Sequence, residues 1–167
     1  PPNLSNKQVA PLANRISVAF EDSLAFFPEH KTLALGNPMR QEILAIRRVG
    51  PMVARGQLGL AADQPLLLVT GGSQGARHLN QVVCRALLEL LPTCQVLQIS
   101  GKDLYNETLE LSNTMLENAS PELRARYRLV PYMNEEMPAA LQAADLVLCR
   151  SGASTLSELA TLGKPSL

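Results

Sequence analysis

The chain has no tryptophan, and only three tyrosines and three phenylalanines among its 167 residues. Its three cysteines are odd in number and show no C-x-x-C spacing, so neither a disulfide framework nor a metal site fits them. Cys84, on an amphipathic stretch, and Cys149, at the end of an apolar run, read as buried reduced thiols of a cytosolic protein. Neither sign of charge is in excess: fifteen basic residues balance fifteen acidic ones. That removes the bulk-charge case for nucleic acid as a partner. No apolar run is long enough to span a bilayer, and no signal peptide is visible. What remains is 46% apolar and long enough for one domain with a sizeable core. The chain opens on Pro1-Pro2 and stops at Lys164-Pro165-Ser166-Leu167, where a parallel sheet would add a strand. It reads as a piece of a longer protein.

The stretch Leu66-Leu67-Leu68-Val69-Thr70-Gly71-Gly72-Ser73-Gln74-Gly75-Ala76-Arg77 organises the rest. Leu66–Val69 is a short, wholly apolar run, as in a strand covered on both faces. Leu79, Val82, Val83, Ala86, Leu87 and Leu90 then fall on one stripe at helical spacing. Between strand and helix lie three glycines and a serine. Glycine permits a sharp turn and close approach of a ligand, and the free N–H groups of a helix start favour an anion. Three readings compete. One is a tight strand–helix connection with no ligand. The second is a nucleophile elbow, since Gly71-x-Ser73-x-Gly75 matches G-x-S-x-G. It needs a later histidine, and only His78 follows, on the helix that the turn itself opens. The third is a diphosphate cradle with the Ser73 hydroxyl as an extra donor. The pattern is neither a P-loop nor the G-x-G-x-x-G dinucleotide fingerprint.

In chain order, the spacing predicts a helix over 6–14 interrupted by Pro11, strands at 16–20 and 32–35, and a short helix at 23–27 between them. Gly36-Asn37-Pro38 is a strong turn signal, followed at once by Arg40. Residues 41–46 read as a short helix and the remainder to 64 as linker or loop, with a small basic cluster of Arg47, Arg48 and Arg55. From Pro65 strands and helices alternate. Strands are expected at 66–70, 95–100, 127–130 and 146–149, with helices at 76–91, 105–118, 138–144 and 156–162. This is a parallel, doubly wound α/β sheet, in which ligands sit at the carboxyl ends of the strands.

A second strand–turn–helix stretch is Arg150-Ser151-Gly152-Ala153-Ser154-Thr155-Leu156-Ser157-Glu158. Thr155-x-x-Glu158 fits a capping box, with Glu158 reaching back to the Thr155 backbone N–H. Equally, the Glu158 carboxylate suits a ribose diol, whose two hydroxyls can both donate to it. The residues alone leave both readings open.

Taken together, Gly71-Gly72-Ser73-Gln74-Gly75-Ala76-Arg77 with the following Leu79-Asn80, and Cys149-Arg150-Ser151-Gly152-Ala153-x-Thr155-x-Ser157-Glu158, resemble the bacterial peptidoglycan N-acetylglucosaminyltransferases, which are two-Rossmann-domain (GT-B) glycosyltransferases. Gly36-Asn37-Pro38-x-Arg40, Pro131-Tyr132-Met133 and Ala144-Asp145-Leu146 are similar to that family's pattern, and the match runs in order over nearly the whole chain. The resemblance implies the end of an N-terminal acceptor domain over 1–36, an interdomain linker and first helix over 37–64, and an incomplete UDP-sugar-binding domain over 65–167. It implies inverting transfer of N-acetylglucosamine from UDP-N-acetylglucosamine to the muramyl 4-hydroxyl of undecaprenyl-linked lipid I, at the cytoplasmic face of the plasma membrane. Gly72, Ser73 and Gln74 would hold the diphosphate, and Arg40 would contact the nucleotide. Met133 would line the uracil pocket. Ala153, Ser154, Thr155, Leu156 and Ser157 would run along the nucleotide, with Glu158 on the ribose. With no D-x-D in the chain, no protein-bound metal and no cofactor are expected. The family's glycine-rich N-terminal loops and their histidine are absent, so no catalytic residue is expected here and the chain alone should not turn over. The rival reading is a nucleotide-sugar-binding subunit of a split glycosyltransferase, which would need a separate membrane-bound acceptor partner.

Overall fold

The computed structural model describes residues 2–167, which divide into two compact units at Met39/Arg40. In the first, α1 (Leu4–Val9) is capped by Asn3, whose Oδ1 accepts from the Asn6 N–H at 2.8 Å. A 3-10 turn at Ala10–Leu12 then takes up Pro11. β1 (Ile16–Val18) and β2 (Thr32–Ala34) pair in parallel, joined through 3-10 turns at Glu21–Phe26 and Glu29–Lys31. Lys31 Nζ ties this connection back to the carbonyls of Ala10 and Ala13 at 2.9 and 3.0 Å.

The second unit opens with α2 (Gln41–Ile46) and α3 (Pro51–Gln57). The loop expected after residue 46 is therefore corrected by a helix. Pro51 stands at its first turn, where proline has no N–H bond to lose and its fixed φ already suits a helix. Four parallel strands follow: β3 (Leu66–Thr70), β4 (Gln95–Ile99), β5 (Tyr127–Val130) and β6 (Leu146–Cys149), in the spatial order β5-β4-β3-β6. The connecting helices are α4 (Arg77–Leu90), α5 (Tyr105–Met115), α6 (Pro121–Arg124), α7 (Met137–Ala143) and α8 (Ala153–Leu162). Beyond α8 the chain returns beside β6. Val147 N–H donates to the Pro165 carbonyl, and Leu167 N–H to the Val147 carbonyl, both at 3.0 Å. Residues 165–167 thus lie parallel to β6 on its outer side through a single bridge between Val147 and Ser166.

Every residue of β3 and β4 is buried, including the polar Thr70, Gln95 and Gln98 among their apolar neighbours. Leu67 and Val69 form one core with Val83, Leu87 and Leu91 of the α4 segment, Val96 and Leu116. The opposite face of β3 meets α7, which packs in turn on α2, α3 and α8. On α4 the buried stripe runs through Asn80, Val83, Cys84 and Leu87, while Val82 is nearly half exposed. The expected apolar stripe is therefore rotated, and one polar residue, Asn80, enters the covered face.

Candidate nucleotide site

In this strand order the chain leaves β3 toward β4 on one side, and β6 lies on the other. The gap between the carboxyl ends of β3 and β6 is thus the topological switch point of the sheet, where open α/β sheets take their ligands. A cavity of about 230 Å³ opens there, lined by Gly71, Gly72, Arg150, Ser151, Gly152 and Thr155.

The first wall is the turn after β3. Gly75 N–H donates to the Gly72 carbonyl at 3.0 Å, closing a tight turn over residues 72–75. Both glycines hold positive φ, +82° and +76°. Gly75 is doubly constrained, because a Cβ there would stand 2.0 Å from the Ser100 carbonyl oxygen. Gly72 N–H donates to Thr70 Oγ1 at 3.3 Å, so the contribution of Gly72 is chiefly its backbone conformation. Ser73 and Gln74 stand exposed on the turn. α4 then starts at Arg77 with no side chain capping it, which leaves its first N–H groups available to an anion. Arg77 is held against Glu107 of α5, which also takes a hydrogen bond from Gln81 at 3.1 Å.

The second wall is α8, whose N-cap is Gly152 and which likewise has no side-chain cap. The capping box expected at Thr155 does not form. The helix already begins at Ala153, with Leu156 N–H donating to the Gly152 carbonyl at 2.9 Å, so Thr155 lies inside the first turn. What was expected to be a turn over Ala153–Ser157 is helix. Ala153, Ser154 and Leu156 are exposed, and Ser157 Oγ donates back to the Ala153 carbonyl at 2.8 Å. Glu158 lies three residues beyond Thr155, on the same side of the helix. Its Oε1 accepts from Arg40 Nε and lies 2.9 Å from the guanidinium NH2 nitrogen as well. Arg40 is the N-cap residue of α2, so two residues 118 positions apart in the chain meet one helical turn from the cavity.

Met133 lies apart from this group. It is buried, in the loop after β5, and β4 intervenes between β5 and β3; at about 4.8 Å per strand that is some ~10 Å along the sheet edge. Tyr132 of the same loop carries Lys102 Nζ, from the turn after β4, 4.9 Å from its ring centroid. Arg150 and Ser151 line the cavity but carry no role in the sequence reading; their place directly after an apolar strand was the available signal. Burial raises the Cys149 thiol above its ordinary value, so at the foot of this wall it stays neutral near pH 7. Among the described residues Ser73 Oγ has no hydrogen-bond partner, and His78 sits exposed in the first turn of α4; no base is set against the serine as a nucleophile elbow requires.

A model of the glycosyltransferase family 28 C-terminal domain matches residues 66–167. UDP-N-acetylglucosamine--N-acetylmuramyl-(pentapeptide) pyrophosphoryl-undecaprenol N-acetylglucosamine transferases are similar to the chain at 34% identity in Caldanaerobacter subterraneus and 38% in Desulfitobacterium hafniense. Each alignment covers 99% of this chain and 44% of the relative. The chain thus spans less than half the length of the curated relatives it matches. Among solved structures, Acinetobacter baumannii MurG superposes with a TM-score of 0.57 at 25% identity, over 97% of this chain and 41% of that one. A Neisseria meningitidis UDP-GlcNAc 2-epimerase bound to UDP-GlcNAc superposes with a TM-score of 0.61 at 16% identity, over 96% and 44%, which bears on the fold alone. With the matched residues running from β3 to the end of the chain, this protein belongs to glycosyltransferase family 28 and carries that family's C-terminal domain.

Proposed function

We propose that the chain supplies the donor-nucleotide site of an inverting N-acetylglucosaminyltransferase. The enzyme would move N-acetylglucosamine from UDP-N-acetylglucosamine to the muramyl 4-hydroxyl of undecaprenyl-linked lipid I, forming lipid II at the cytoplasmic face of the plasma membrane. The observation that carries this reading is the convergence of two uncapped helix starts and the Arg40–Glu158 pair on one switch-point cavity.

The chemistry follows from the charges. As the bond between the sugar and the diphosphate breaks, UDP leaves with growing negative charge, and fixed N–H donors there lower the barrier. The N–H groups of Ser73, Gln74 and Ala76, the Ser73 hydroxyl and the first turn of α4 are such donors. On the other wall the start of α8 runs along the nucleotide. Glu158 accepts from both ribose hydroxyls, and Arg40 turns from its carboxylate partner toward the nucleotide. Met133 lines the base pocket. The reading includes no metal, no cofactor and no general base within this chain; the base and the acceptor site belong to the other domain. No helix among the described residues is long and apolar enough to cross a membrane, and the attachment proposed is peripheral.

Calorimetric titration of the chain with UDP tests this. The parent binds, and Ser73→Ala and Glu158→Ala each lose about 1.5–3 kcal/mol, as expected when a hydrogen bond to a charged group is removed. A folded parent that binds no UDP, or variants that bind as well as the parent, would overturn the assignment.

A further inference from the structure

Behind the cavity wall a chain of hydrogen-bonded side chains, buried at Asn80 and Gln98 and half-buried at Tyr127, runs from α4 over β4 to β5. Asn80, in the second turn of α4, donates from Nδ2 to the Ser100 carbonyl at 2.9 Å. Its Oδ1 accepts from Gln98 Nε2 of β4 at 3.2 Å, and Gln98 Oε1 accepts from the Tyr127 hydroxyl of β5 at 2.9 Å. Asn80 is 2% exposed, and Gln98 and Ser100 are 0%. The polarity of the relay is fixed by its end. A carbonyl oxygen can only accept, so Asn80 must present its NH2 group to Ser100. Its oxygen then faces Gln98, which must answer with its own NH2 group, leaving Gln98 Oε1 for a hydroxyl.

The Ser100 carbonyl is also the surface against which the glycine turn is seated, so closely that a Cβ at Gly75 would stand 2.0 Å from its oxygen. Interiors are close-packed and transmit strain between such neighbours. We propose that Gln98, which touches no ligand, is a positioning residue. It locks the Asn80 amide in the orientation that holds the Ser100 carbonyl, and so sets the height of the Gly72–Gly75 turn beneath the diphosphate. This rests on the nucleotide reading above.

Gln98→Met keeps the volume but can neither donate to Asn80 nor accept from Tyr127. Gln98→Glu keeps the acceptor for Tyr127 and replaces the donor with an oxygen, which turns the Asn80 amide and sets its oxygen against the Ser100 carbonyl. Affinities for UDP and UMP are measured side by side, with Val83→Ala as control, a core truncation on the same helix outside the relay. Because the turn serves the diphosphate, both Gln98 variants lose five-fold or more of the UDP-over-UMP preference, while Val83→Ala loses stability and keeps that preference. An unchanged preference in the folded Gln98 variants, or an equal loss in Val83→Ala, overturns the positioning role. If Gln98→Met does not fold, Gln98→Glu decides the matter alone. A folded parent that binds neither nucleotide overturns the nucleotide reading itself, and the inference falls with it.

Discussion

Arg40 and Glu158 are the residues whose pairing bears most directly on function. Glu158 is mostly covered, with 13% of its side chain exposed, whereas Arg40 keeps 44% of its own in solvent. An ion pair with one arm so exposed is screened, and contributes about 0–1 kcal/mol to folding. Arg40→Ala should therefore leave the denaturation midpoint almost where it was. If Arg40 meets the nucleotide, the same substitution weakens UDP binding clearly, by the 1.5–3 kcal/mol of a lost charged hydrogen bond. Denaturant unfolding and calorimetry on one preparation separate the two roles. Lost stability with unchanged affinity would make the pair a clasp between α2 and α8, with no part in binding.

The elements show how far the residues alone carry the fold. β3, β5 and β6 fall where short, largely apolar runs bounded by turn residues place them, and β3, buried along its whole length, needs nothing more than such a run. The turn at Gly71–Gly75 is readable because its backbone demands glycine, with positive φ at Gly72 and Gly75 and no room for a Cβ at Gly71, whereas Gly152, with φ of −72°, is readable only as a break between strand and helix. Three features were not readable. α3 was hidden because Pro51 resembles a break and is in fact a start. Asn80 and Gln98 were passed over as polar, although Asn80 sits three and four residues before the buried Val83 and Cys84. The start of α8 lies three residues before the one expected, because Thr155-x-x-Glu158 satisfies a capping pattern while the helix begins at Ala153 behind Gly152. That last difference is testable. A Thr that caps a helix costs about 1 kcal/mol when replaced by Ala, whereas one inside the first turn is replaced at no cost or a gain of a few tenths, since Ala has the higher propensity. Thr155→Ala is expected to leave the thermal midpoint unchanged or slightly higher, and to weaken UDP binding through its place in the cavity wall. A drop of several degrees would restore the capping box.

At the scale of the second unit, charge is divided between the two edges of the sheet. The carboxyl edge carries the open cavity. At the amino edge Arg55, 7% exposed, donates to the Ala143 and Ala62 carbonyls at 3.0 Å each and reaches Asp145 Oδ2 at 2.5 Å. The same oxygen accepts from the Leu66 N–H at 2.7 Å, so one carboxylate joins α3, the start of β3 and the start of β6. Lys164 Nζ closes the edge on the Gln142 and Ala144 carbonyls at 2.6 and 2.9 Å. Removing one partner of a buried pair strands the other charge at a cost of about 3–5 kcal/mol. Because about half of the Asp145 side chain is in solvent, the cost of Asp145→Ala is expected to fall below that range, at about 2–3 kcal/mol. Burial already holds Lys164 below its ordinary value of 10.5, with Asp145 opposing that drop and Arg55 adding to it. Deleting Asp145 lowers it further. In the window between the folded and the unfolded value the unfolded chain binds more protons, so native stability rises with pH there. The penalty of Asp145→Ala should accordingly shrink as pH climbs toward 10.5, read as converging denaturation midpoints of variant and parent. UDP affinity at neutral pH should stay at the parent value, since the fastening and the cavity lie at opposite ends of the strands. A parallel loss of affinity would mean that the amino edge sets the spacing of β3 and β6, and with it the width of the nucleotide site.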